Sequence, residues 1–333
     1  AGTIRGTGLV WEGATISAPD ATLRIDGAAT GGSMDLEEIS VDNIRIDTAT
    51  LGFTNAEGTT FDMRTASTFV ADTSDDGGSY TVNVNVDNAT SITTAAATNS
   101  AATAINHTGA TVNFNATSAI DNVALVTVGG ATTLNVAGDD FTITSLAEAN
   151  TSALTTLTGD QALTVTSSAV TDLDASAYTG AITFTNAHTT AATIRLGSGN
   201  DVVEDVDADI SQSFYLGAGN DTFRPDSWTG DNADAEGLFV SMGAGNDTFD
   251  VDFAVADNGS IVVLGGEGTD TIDLDAGGAL DFTNFDFVFS GIEVISIDDA
   301  SGSAAVDYTF AASTMTGQTG LAINGTAADD ERV

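Results

Sequence analysis

Cysteine and lysine are both absent from this 333-residue chain, and proline occurs only twice. Without cysteine there is neither a disulfide framework nor a thiolate metal site. With seven arginines as its only bases against 48 acids, the chain has no cationic patch for phosphate groups. Nucleic acid and anionic membrane are therefore excluded as partners. Helical periodicity is nearly missing. No run approaches the roughly 18 apolar residues that a membrane-spanning helix needs, so no transmembrane segment is expected.

What is present is acid and glycine. The formal charge is −41, from 38 Asp and 10 Glu, and there are 36 Gly. Short Asp side chains suit turns and ligate hard cations, whereas Glu is the usual choice for solvated helix surfaces. A compact chain this negative repels itself and needs counter-cations or salt. Apolar residues reach 42%, enough for a core and too many for disorder. An acid-rich, Cys-free and Lys-free composition reads as secreted and extracellular, stabilised by metal rather than by disulfides. The N-terminus, AGTIRGTGLV, has no signal-peptide pattern. Residues 321–333 begin another Gly-Asp turn, so a fragment of a longer chain is expected.

Runs such as Val82–Val86, Thr111–Phe114, Phe141–Thr144, Leu163–Thr166 and Ile182–Thr185 alternate apolar with polar, the period of a strand. The turn glycines Gly138, Gly159, Gly180, Gly199, Gly219, Gly245 and Gly268 are 21, 21, 19, 20, 26 and 23 residues apart. A period near 20 that drifts by insertion is the mark of a solenoid, because each coil is a fixed circuit while its loops vary. Evenly spaced strands of a β-sandwich are the competing reading. The chain is expected to be all-β, a parallel β-solenoid over 109–290. Residues 1–108 are β-rich with no architecture assigned, and 291–333 form a cap and the start of a further repeat. The aromatic segment Phe282–Ile297 reads as that cap or as a last large coil.

Four segments carry the chemistry: Leu196-Gly-Ser-Gly-Asn-Asp, Leu216-Gly-Ala-Gly-Asn-Asp, Met242-Gly-Ala-Gly-Asn-Asp and Leu264-Gly-Gly-Glu-Gly-Thr-Asp. Each holds Gly-x-Gly-x-Asp, followed two residues later by an apolar anchor. Glycine permits a turn that aims successive carbonyls at one point, and the Asp adds a carboxylate. Stacked coils bring two such loops together, offering the six or more oxygens that Ca²⁺ takes. The alternative is an ordinary glycine turn whose Asp bonds its own backbone. Further acids beside these turns, Glu204, Asp205, Asp207, Asp209, Asp226, Asp250, Asp252, Asp273 and Asp275, read mainly as a solvated acidic face.

These segments resemble the RTX calcium-binding repeat, G-G-x-G-x-D-x-U-x, which Gly265–Asp273 matches at every defined position. The resemblance implies Asp201, Asp221, Asp247 and Asp270 as side-chain ligands. It implies the carbonyls of Gly197, Gly199, Gly217, Gly219, Gly243, Gly245, Gly266 and Gly268 as backbone ligands. The spacing of the motifs, longer than the family's nine residues, implies one ladder on one edge. The first three motifs carry Leu or Met where the family has its first Gly. Over 130–330 the repeat style also looks like the RTX-type surface-layer (S-layer) proteins of Gram-negative bacteria. That implies export by type I secretion and assembly on the cell through Ca²⁺.

No catalytic signature accompanies the repeats. His107 and His188 are not followed by Glu, so H-E-x-x-H is missing, and Gly31-Gly-Ser33-Met-Asp35 breaks G-x-S-x-G at its last position. The expectation is a non-enzymatic, calcium-stabilised structural component that assembles with itself, with cell-surface polysaccharide as a further partner. The alternative is a repeat segment of a secreted adhesin or exoprotein.

Overall fold

In a computed structural model the chain is all-β with almost no helix, and its strands form parallel sheets stacked as a β-solenoid. The residues described are 3–6, 16–25, 30–35, 39–46, 50–54, 60–63, 67–72, 80–86, 92–94, 110–116, 122–128, 132–148, 154–166, 168–185, 192–207, 211–227, 237–251, 260–274, 280–283, 286–297, 308–315 and 319–325. The chain divides into two compact units, Ala1–Asp174 and Ala175–Val333.

In the first unit successive strands go alternately to two sheets, each pairing in parallel with the strand one coil away. Tyr80–Val86, Ala110–Ala116 and Thr132–Ala137 show why the register holds. Phe114 and Val136 are direct partners and both buried, so like side chains stack in one row. A slip by one residue would turn that row to solvent. Strands within 1–108, where the sequence period fades, pair in the same manner, with Leu23 beside Ile44 and both fully buried.

In the second unit one sheet runs Ala192–Arg195, Gln212–Tyr215, Gly237–Ala244, Ser260–Glu267 and Asp286–Ser290. The other runs Ile182–Phe184, Val202–Asp207, Thr222–Ser227, Thr248–Val251, Thr271–Leu274, Val294–Ile297 and Ala322–Gly325. Alternation puts one face of each sheet inside, and the two inner faces meet through aromatic rings. Phe214 of the first sheet meets Phe223 of the second edge-on, with centroids 5.0 Å apart, and Phe223 stacks on Phe249 at 5.7 Å. Within Phe282–Ile297, Asp286–Ser290 and Val294–Ile297 continue the two sheets, so this segment supplies a coil. Phe282 stacks on Phe310 at 4.9 Å, and the helical turn Ala312–Met315 places the Thr314 hydroxyl on the Phe287 carbonyl.

Candidate functional site

The four glycine–aspartate motifs fall at the turns leading from the first sheet of the second unit into the second, one coil above another. Local chemistry explains the shape. Leu196, Leu216 and Met242 end the inward-facing run and are buried. The glycines then carry the chain around a corner too tight for a side chain. At Gly219 and Gly245, φ is +135° and +139°, and an added Cβ would lie 1.9 and 1.6 Å from the carbonyl oxygens of Gly199 and Gly219 in the coil below. These positions require glycine on both counts.

After the glycines come an outward residue and an inward one, and the two clamp the stack in opposite directions. Asn200 Oδ1 accepts the amide of Asn220, Asn220 Oδ1 that of Asn246, and Asn246 Oδ1 that of Thr269, at 2.8 to 2.9 Å. The aspartates reach the other way. Asp221 Oδ1 accepts the Asp201 amide at 2.7 Å, Asp247 Oδ1 the Asp221 amide at 2.8 Å, and Asp270 Oδ1 the Asp247 amide at 3.0 Å. The column runs on at both ends: Asp201 accepts the Ile182 amide, and Glu293 accepts that of Asp270. The Asp carbonyls are used too, accepting from Thr222, Thr248 and Thr271 of the following coils.

The four predicted aspartates thus form a single column, 0 to 1% exposed. In each, Oδ2 is buried and has no hydrogen-bond partner. Burial is the main reason their carboxyls are pushed up, to about 7 for Asp201, about 8 for Asp221 and about 6 for Asp247, with Asp270 also raised. The donated amides oppose the rise, while neighbours in the column add to it: Asp201 and Asp247 act on Asp221, Asp270 on Asp247, and Glu293 on Asp270.

The predicted carbonyl donors divide. Those of Gly197 and Gly217 accept the amides of Ala218 and Ala244 at 2.8 and 2.9 Å. Those of Gly199, Gly219 and Gly245 lie against the α-carbon of the next coil's glycine. Gly243 and Gly266 are direct partners in the sheet, and Gly268 closes over Gly245. At Gly265, which takes the place of Leu196, Leu216 and Met242, an added Cβ would stand 2.6 Å from Asp270 Oδ2 and 1.8 Å from the Gly291 carbonyl. Four buried carboxylate oxygens without partners, one of them close to the Gly291 carbonyl, are hard-oxygen donors of the kind a calcium-type cation takes. Among the described residues no three His, Cys, Asp or Glu side chains converge on one point.

Sequence reasoning missed Glu293 and the asparagines. The Asn before three of the four aspartates was visible as a repeated letter, but only stacking shows that it bonds the next coil. Of the surrounding acids, Glu204 and Asp250 both bind Arg224, at 2.7 Å each, across three adjacent strands. Asp273 is the direct partner of Asp250 on the next strand. The side chains of Asp205, Asp207, Asp209, Asp226, Asp252 and Asp275 lie outside the described residues, as do His107 and His188. No protein family, curated protein or solved structure matches the chain. The RTX and surface-layer resemblance therefore rests on the motif residues alone.

Proposed function

We propose that this chain is a non-catalytic, secreted structural solenoid whose stacked glycine–aspartate turns take up Ca²⁺, and which assembles with its own copies into a surface layer or filament. The observation that supports it most directly is the column of four buried carboxylates, each with one unpartnered oxygen, in a chain of charge −41. An isolated buried carboxylate is strongly disfavoured and must be neutralised by a proton or a cation. Calcium supplies that charge when bound. The chain's own part is to hold Asp201, Asp221, Asp247 and Asp270 in one column on one edge, each with a free carboxylate oxygen. Magnesium, which demands a small octahedron and sheds water reluctantly, suits such a backbone-built site poorly. The repeat style shared with RTX surface-layer proteins supports type I secretion and a place at the cell surface, with surface polysaccharide as a second partner.

Thermal melts of metal-stripped chain, with calcium, magnesium or chelator added, test the reading. A ligand bound only by the folded state stabilises it by about 2.7 kcal/mol at a hundredfold excess over Kd. Calcium should raise the transition well above the magnesium and chelator curves. Superimposed curves overturn the calcium assignment.

A further inference from the structure

The two sheets of the second unit show unlike outer faces. The second sheet carries Glu204, Arg224, Asp250 and Asp273 in one lateral row. The first sheet carries Thr193, Ser213, Phe239, Val262 and Val288 in one row, and Arg195, Tyr215, Ser241, Leu264 and Ser290 in the next. Tyr215 and Val288 are 39% and 52% exposed. Tyr215 leans on Phe239 with centroids 5.5 Å apart, and the Arg195 guanidinium lies over the Tyr215 ring at 5.4 Å. Among the described residues of its flat part, the only outward charges are Arg195 and, at the far edge, Asp286, and these cancel. Glu267 lies beyond, in the turn. A net-neutral face with Tyr215, Phe239, Val262, Leu264 and Val288 gathered among serines contrasts with the charged row of the opposite sheet.

We propose that this face is the contact between copies of the chain, sheet against sheet. The proposal rests on the assembly reading above and names its surface. Charge selects the occupant. A second copy is repelled wherever acids meet acids, so it approaches closely only where acids are missing. Setting the apolar face on the charged sheet would desolvate Glu204 and Asp250 without return. Setting it on itself buries Phe239, Val262 and Val288 from both sides, a self-complementary two-fold contact. Its five strands cover roughly 24 Å by 16 Å, on the order of 400 Å² for each copy, about half of a standard stable interface. One such contact is weak alone and gains strength when many copies are held together, as in a layer.

The test is sedimentation velocity of the full 333-residue chain in millimolar calcium over a concentration series. It compares the wild type with Tyr215→Asp/Val288→Asp and with Ser296→Asp, which adds charge to the opposite sheet. All three changes are at solvent-facing positions, and circular dichroism verifies the fold. A milder pair, Tyr215→Ser/Val288→Ser, serves if the charged pair misfolds. Self-association should weaken about tenfold or more in either face variant, equivalent to about 1.4 kcal/mol, and stay within about twofold in Ser296→Asp. Unchanged association in the face variants overturns this proposal while leaving the assembly reading intact. A wild type monomeric throughout overturns both. Retention of such a monomer on neutral polysaccharide beads, lost in the face variants, would assign the face to a glycan instead.

Discussion

Asp221 shows how one side chain can be both a structural rung and a liability. Its Oδ1 ties the Asp201 amide to the coil above, whereas Oδ2 is buried without a partner, and the carboxyl is pushed up to about 8. Raised above its ordinary 3.8, the group favours folding when protonated. Its contribution is complete below about pH 4 and is lost as pH rises through about 8, those of Asp247 and Asp201 being lost earlier, through about 6 and about 7. Metal-stripped chain should therefore melt lower at pH 8 than at pH 5. Asp221→Asn keeps the amide acceptor and removes the ionisation. Metal-free melts of this variant should depend less on pH than those of the wild type, and calorimetry should show it taking up less calcium. An Asn variant with the wild-type pH slope would mean that the slope comes from general repulsion rather than from this column.

At the scale of the turn, stability depends on how closely coils approach. The Gly245 turn sits directly on the Gly219 carbonyl, and neither can retreat, because the sheets on either side are already paired. Gly245→Ala must move that backbone and holds Ala at φ +139°, so chemical denaturation should show a loss of at least about 2 kcal/mol. Gly237 is the control. A Cβ there meets nothing nearer than 3.8 Å, and Gly237→Ala should fall within about 0.5 kcal/mol of wild type. Equal effects at the two positions would mean that the turns are not stacked as described. The ladders explain why the turn is one cooperative element. Each Asn holds the coil ahead and each Asp the coil behind, so opening one turn breaks bonds to both neighbours.

At the scale of the whole molecule, the net charge of −41 makes stability sensitive to dissolved ions. At −41 the chain repels itself, and sodium chloride should raise the melting temperature of metal-free protein by screening the exposed acids. Salt reaches the buried column poorly, because those oxygens are 0 to 1% exposed. Calcium at matched ionic strength should therefore add a further rise that sodium does not supply. Saturation of the effect by sodium alone would place the benefit on the surface instead of in the turns. The same division bears on assembly, since the described charged row lies on one sheet of the second unit and the apolar row on the other.

Much of this was legible in the residues. Period-two alternation through Leu163–Val165 and Ile182–Phe184 points to strands, and the recurrent Gly-x-Gly-x-Asp points to a turn, because glycine fits its backbone. The near-constant interval specifies stacking. Other features were decided only when coils met. Asp and Asn are adjacent letters with similar side chains, and the fold sends one inward and the other outward, giving one a raised carboxyl and the other an exposed amide. Glu293 has no motif around it and joins the column because its coil lands there. The neutral face of the first sheet is spread over five strands more than 90 residues apart from end to end, as Arg195 to Asp286 shows. Lateral register, a property of paired strands and not of any local segment, brings it together.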